Sequence, residues 1–127
     1  MKYIVESGKS FEDALNSLNE TVPKHKFGIL HEHNIKATLN GKGVPFEKEV
    51  RVLEVCNPQK ASAVLNADMA LNMVLPCRIS VWEDAGQVKL GTILPTALLA
   101  SLNDSPELRA AAEEVEQALI AIIDEAK

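Results

Sequence analysis

Two cysteines head the inventory of reactive side chains: Cys56 opens the triplet Cys56-Asn57-Pro58, and Cys77 sits in Pro76-Cys77-Arg78. A thiol acts as nucleophile, redox group or metal ligand in its thiolate form, and a helix N-terminus favours that anion. Asn57 followed by Pro58 reads as an N-cap and a first helical position, so Cys56 lies immediately before such a terminus. The competing reading of Cys56 is a small buried hydrophobe at a strand end, the ordinary state of a free cysteine. Cys77 alternates with Ile79 and Val81 and is expected on a core face. If the segment between the thiols is a parallel crossover, they fall at opposite edges of the sheet, which argues against their pairing.

His31-Glu32-His33 places two imidazoles on one strand face at a spacing compatible with two metal ligands. A third ligand would come from Cys56, Cys77, His25 or a carboxylate, and no neighbouring pattern nominates one; the competing reading is the polar end of a half-buried strand. Asn40-Gly41-Lys42-Gly43 lacks the glycine, lysine and hydroxyl spacing of a P-loop, which leaves Lys42 as a cation on a loop that can reach an anion. Arg78 beside an apolar strand calls for a carboxylate or a ligand, and Glu54 is the nearest candidate partner. No serine or cysteine nucleophile with an assigned base assembles from the sequence, and no cofactor is nominated.

The elements that must position these groups follow from periodicity. Tyr3 to Ser7 reads as a strand. Ser10 caps a helix from Phe11 to about Val22, with Phe11, Leu15, Leu18 and Val22 on one face and Pro23 as its stop. From Phe27 the period becomes two, putting Phe27, Ile29, His31, His33 and Ile35 on one strand face. Lys36 to Glu49 carries turn signals and reads as a loop or flap. Val50 to Cys56 is a strand, followed by a short helix to about Asn66. Asp68 to Leu75 fits either one more helical turn or an extended segment. Arg78–Glu83 and Gln87–Leu94 form a hairpin about Asp84-Ala85-Gly86, and a short helix follows Pro95. Ser105-Pro106 then opens a long amphipathic helix with Leu108, Ala112, Val115, Leu119, Ile122 and Ala126 in one stripe.

The 127 residues fit a single domain with a core of its own, and 46% hydrophobic with 24% charged residues is ordinary globular composition. The net charge of −5 and scattered lysines disfavour nucleic acid. No apolar run reaches bilayer length, so no membrane partner is expected. Without a signal-like N-terminus a cytoplasmic protein with reduced thiols is expected.

The run from His31 to Leu39, then Lys42-Gly43, Val55-Cys56-Asn57-Pro58, Ala61, Leu65 and Leu75-Pro76-Cys77-Arg78-Ile79-Ser80-Val81 together resemble the domain-of-unknown-function family 302. The resemblance spans nearly the whole chain. It implies a small prokaryotic α+β domain similar to the TATA-box-binding-protein class: two layers, with a curved, mainly antiparallel sheet covered by helices. It also implies a homodimer, and it brings no activity, cofactor or catalytic residue. Where the family pattern has His-Asp this chain has His33-Asn34, an amide replacing a carboxylate that would orient the imidazole or join a metal site. The residues alone also suit a ferredoxin-like split unit.

Three functional expectations result. The first is a dimeric module binding a small ligand between the sheet and the loop of residues 36–49 through His33, Lys42, Asn57 and Arg78. The second is a structural or interaction dimer. The third is a thiol- or metal-dependent enzyme using Cys56, with Cys77 or His33 assisting and His31 and His33 as the metal candidates.

Overall fold

Alternating apolar and polar residues build five strands: β1 (Lys2–Ser7), β2 (Gly28–Asn34), β3 (Val50–Cys56), β4 (Cys77–Asp84) and β5 (Gln87–Ile93). In the computed structural model, which describes residues 1–127, they form one open sheet of order β1-β5-β4-β3-β2 with every neighbouring pair antiparallel. This is the α+β architecture with an antiparallel sheet that the sequence implies. β1 and β2 lie at opposite edges with three strands between them, which sets aside the ferredoxin-like alternative.

Helices α1 (Phe11–Lys24) and α5 (Pro106–Ala126) cover one face. At about 1.5 Å per residue α5 spans roughly 30 Å, the width of a small sheet. Leu18 and Val22 of α1, Leu119, Ile122 and Ile123 of α5, and Leu53, Val55, Ile79, Val81 and Leu90 of the sheet are wholly excluded from solvent. The opposite face carries no helix layer. Trp82 packs across Gly91 there, where an added Cβ would lie 3.1 Å from the indole. No helix is long and apolar enough to cross a membrane.

Several local features depart from the sequence reading. Ser10 Oγ accepts from the Asp13 amide at 3.1 Å as its type dictates, but α1 continues through Pro23 to Lys24. Proline is tolerated there because its fixed φ is helical, and the chain leaves the helix through Lys26 at φ 64°. Residues 36–41, read as loop, and Ile35, read as strand, form helix α2 (Ile35–Gly41), capped by Asn34, whose Oδ1 accepts from the Ala37 amide at 3.0 Å. The ambiguous segment after Asp68 is a 3₁₀ helix (Met69–Val74) that buries Leu71 and leaves Met69 and Met73 in solvent.

The largest correction concerns β2. Ile29 pairs with Val55 and His31 with Glu54, so Leu30 is an unpaired bulge residue. One extra residue inverts the alternation. Ile29 packs against the core, whereas His31 and His33 turn to the open face, so the five residues from Phe27 to Ile35 do not share a side.

Candidate functional site

The site grows from the ends of β3 and β4. Cys56 ends β3, Asn57 caps helix α3 (Pro58–Ala67), and the chain returns through the 3₁₀ segment to Cys77, the first residue of β4. A second apolar cluster, Val64, Leu71, Leu99, Leu108 and Ala112, ties α3, the 3₁₀ segment and helix α4 (Pro95–Ala100) to the N-terminal half of α5. That cluster holds the three short elements beyond the main core. Between them and the sheet end lies a cleft of about 630 Å³. Thirteen of its twenty lining residues are hydrophobic, among them Val55, Val64, Val74, Leu98, Leu99 and Val115, and none is aromatic.

Its polar groups are Cys56, Asn57, Lys60, Asn72, Cys77, Arg78 and Thr92. Most are already partnered. Asn57 Oδ1 accepts from the Lys60 amide at 3.1 Å, and its Nδ2 donates to the Lys26 carbonyl at 3.2 Å. Lys60 Nζ pairs with Glu114 at 2.9 Å, Asn72 Nδ2 donates to the Met69 carbonyl at 2.6 Å, and Thr92 Oγ1 donates to the Arg78 carbonyl at 2.7 Å. The Arg78 side chain is exposed and makes no hydrogen bond or ion pair within the chain.

Both cysteines are free thiols. Burial, reinforced by the proximity of Cys56, pushes the Cys77 thiol up to about 11, which leaves it protonated at neutral pH. The expectation that the two thiols sit at opposite sheet edges fails because β3 and β4 are antiparallel neighbours. Val55 stands directly opposite Cys77, one residue from Cys56.

A second polar cluster lies on the open sheet face. His33 Nε2 bonds the Glu54 carboxylate, and the His31 ring stands edge-on to His33 with centroids 4.3 Å apart. The hydrogen bond from His33 holds the Glu54 carboxyl below the ordinary range, with smaller contributions from the charges of Arg78 and His31 and opposition from desolvation. Glu54 thus orients His33, the role the sequence left open at Asn34. Glu54 and Arg78 are opposed in register, as the sequence reading proposed, but the carboxylate bonds His33 instead. No three histidine, cysteine or carboxylate side chains are arranged to hold a metal ion.

Of the ligand-binding residues expected from sequence, Asn57 and Arg78 line the cleft together with Cys56 and Cys77. His33 and Lys42 do not. His33 pairs with Val52, four residues from Cys56 along β3 and so about 13 Å away. Lys42, exposed at the C-cap of α2, lies near the start of β3, about 20 Å from its Cys56 end. The walls contributed by Val64, Val74 and Leu98 were not legible as a site, because apolar residues in short segments carry the same signal whether they pack or line a cleft.

A family model described as "Domain of unknown function DUF302" matches residues 3–126. The crystal structure of an uncharacterized conserved DUF302 protein from Bacillus stearothermophilus is similar over 99% of this chain and 98% of that one, with 31% sequence identity and a TM-score of 0.92. No curated protein matches the chain.

Proposed function

The chain belongs to the DUF302 family, and on that premise we propose that it is a small-molecule-binding module whose ligand occupies the cleft at the Cys56 and Cys77 ends of β3 and β4. The observation that carries this reading is the cleft itself. Its volume of about 630 Å³ falls within the range of ligand sites, and an apolar lining with a few polar groups is the usual make-up of such sites. A thiol enzyme centred on Cys56 would lack Cys77 as a second thiolate, because burial holds the Cys77 thiol protonated at neutral pH.

The test is a fluorescence titration with N-phenylnaphthylamine, a neutral apolar probe. Saturable binding of one probe per chain is expected. Leu98→Trp, which adds an indole to the cleft wall, is expected to abolish it while leaving the unfolding temperature within a few degrees. Equal binding by the filled variant would refute the reading.

A homodimer is proposed on an adjoining surface. Ile4 is 44% exposed on the open sheet face, where it and Trp82 both meet Gly91, and Ile93, 48% exposed on the same face, also borders the cleft. Burying this face against a second copy removes apolar area from water. Sedimentation analysis tests it: wild type is expected as a dimer and Ile4→Lys/Ile93→Lys as a monomer, and a monomeric wild type would remove the proposal.

A further inference from the structure

Resting on the ligand-binding reading above, we infer that the ligand is an aliphatic carboxylate whose head is held by the Arg78 guanidinium and whose chain lies along the cleft. The charge around the cleft is the first ground. The chain has 18 acidic and 13 basic residues and a net charge of −5, yet the twenty residues lining the cleft include two cations, Lys60 and Arg78, and no aspartate or glutamate. An acidic protein that keeps its carboxylates out of one apolar cleft has built a place for a negative group.

The second ground is which cation is free. Lys60 is neutralised by Glu114 at 2.9 Å. Arg78 alternates with the core-facing Cys77 and Ile79, so its side chain leaves the sheet on the open face, where it lines the cleft with Ile93. It makes no hydrogen bond or ion pair, and Glu54, the acid opposite it on which its charge acts, gives its carboxylate to His33. A guanidinium presents paired N–H donors in a plane that matches the two oxygens of a carboxylate. A guanidinium that forms no ion pair of its own matches one negative charge. A phosphate dianion would need further donors, and α3 supplies few: it opens with Pro58, which has no N–H, and the Lys60 and Ala61 amides already bond Asn57.

The third ground is the lining. With no aromatic ring in the walls, a nucleobase or flavin finds no stacking surface, whereas a flexible alkyl chain needs only aliphatic contact. The walls from Val64, Val74 and Leu98 supply it.

Calorimetric titration of the full chain with decanoate, decanol and decyltrimethylammonium, each below its aggregation threshold, tests the inference. Decanoate is expected to bind about tenfold tighter than decanol or better, the scale of a charge-assisted pair. Decyltrimethylammonium should bind weakest. Arg78→Gln is expected to erase the preference for decanoate and leave decanol unchanged, and Arg78→Glu to favour the cationic probe. Equal affinity for decanoate and decanol in wild type, or a preference that survives Arg78→Gln, would overturn the carboxylate inference while leaving the cleft a ligand site. Failure of all three probes would overturn both.

Discussion

Cys77 offers the sharpest link between burial and chemistry. Its thiol is raised to about 11 from an ordinary 9.0, chiefly by burial and secondarily by Cys56. At pH 8 a thiol at the ordinary value is about 10% thiolate, and one near 11 is about 0.1%, so the reactive form is depleted roughly a hundredfold. A more basic thiolate is intrinsically more nucleophilic, with a Brønsted coefficient of about 0.45, which returns roughly eightfold and leaves a net slowing of about tenfold. The measurement is alkylation by iodoacetamide in Cys56→Ser, followed by intact mass from pH 7 to 11 beside N-acetylcysteine. Since burial dominates, removing Cys56 should leave the shift largely in place. The rate is expected to climb tenfold per pH unit with its inflection near 11, with circular dichroism at each pH to confirm the fold. An inflection at or below pH 9 would refute the reasoning. The same shift has a thermodynamic face: the folded value lies above the unfolded one, so the associated stability is complete below pH 9 and is lost as pH rises towards 11.

Further outcomes follow from single contacts. Ala85 sits at φ 51° and Gly86 at 79° in the two-residue turn between β4 and β5, and Ala85→Asn, which relieves left-handed strain, is expected to raise stability by about 1 kcal/mol in urea unfolding. Leu119, fully buried between α5 and the sheet, should cost about 3 kcal/mol as Leu119→Ala by the same assay. The Glu54 carboxyl is lowered by His33, so its contribution is present above the unfolded pKa and lost as pH falls through the folded one. Glu54→Gln should therefore be less stable than wild type at pH 7, and their unfolding temperatures should converge in acid.

The elements with strong periodicity were legible from sequence, and the reasons are local. Ser10, Asn57 and Ser105 each cap the helix their side chains suit, and the stripe from Leu108 to Ala126 is buried residue by residue in α5. The hairpin turn follows from Gly86. The histidine face departs from the period-two pattern because a single bulge residue, Leu30, shifts the alternation without any glycine or proline to mark it. Helix α2 is seven residues long and buries no residue fully, so no apolar stripe announces it in the sequence.

Half of the site was visible for a related reason. Cys56, Asn57, Cys77 and Arg78 stand at strand ends, and strand ends that pair antiparallel meet. The premise of a parallel crossover came from the helix between β3 and β4, which suits such a connection but does not require it. The sequence reading sets one ligand between the sheet and the loop of residues 36–49, with His33 and Lys42 beside Asn57 and Arg78, because polar type alone carries no distance. The register places His33 along β3 and Lys42 beyond its far end.

The central claim is that one molecule binds in the cleft at the ends of β3 and β4, and amide chemical shifts of isotope-labelled protein titrated with decanol and decanoate test it most directly. Perturbations are expected at Asn57, Ala61, Val74, Cys77 and Leu98, with Lys42, Gly43 and Ile4 silent. Shifts confined to the open sheet face around Ile4 and Trp82, or no saturable shifts at all, would contradict it.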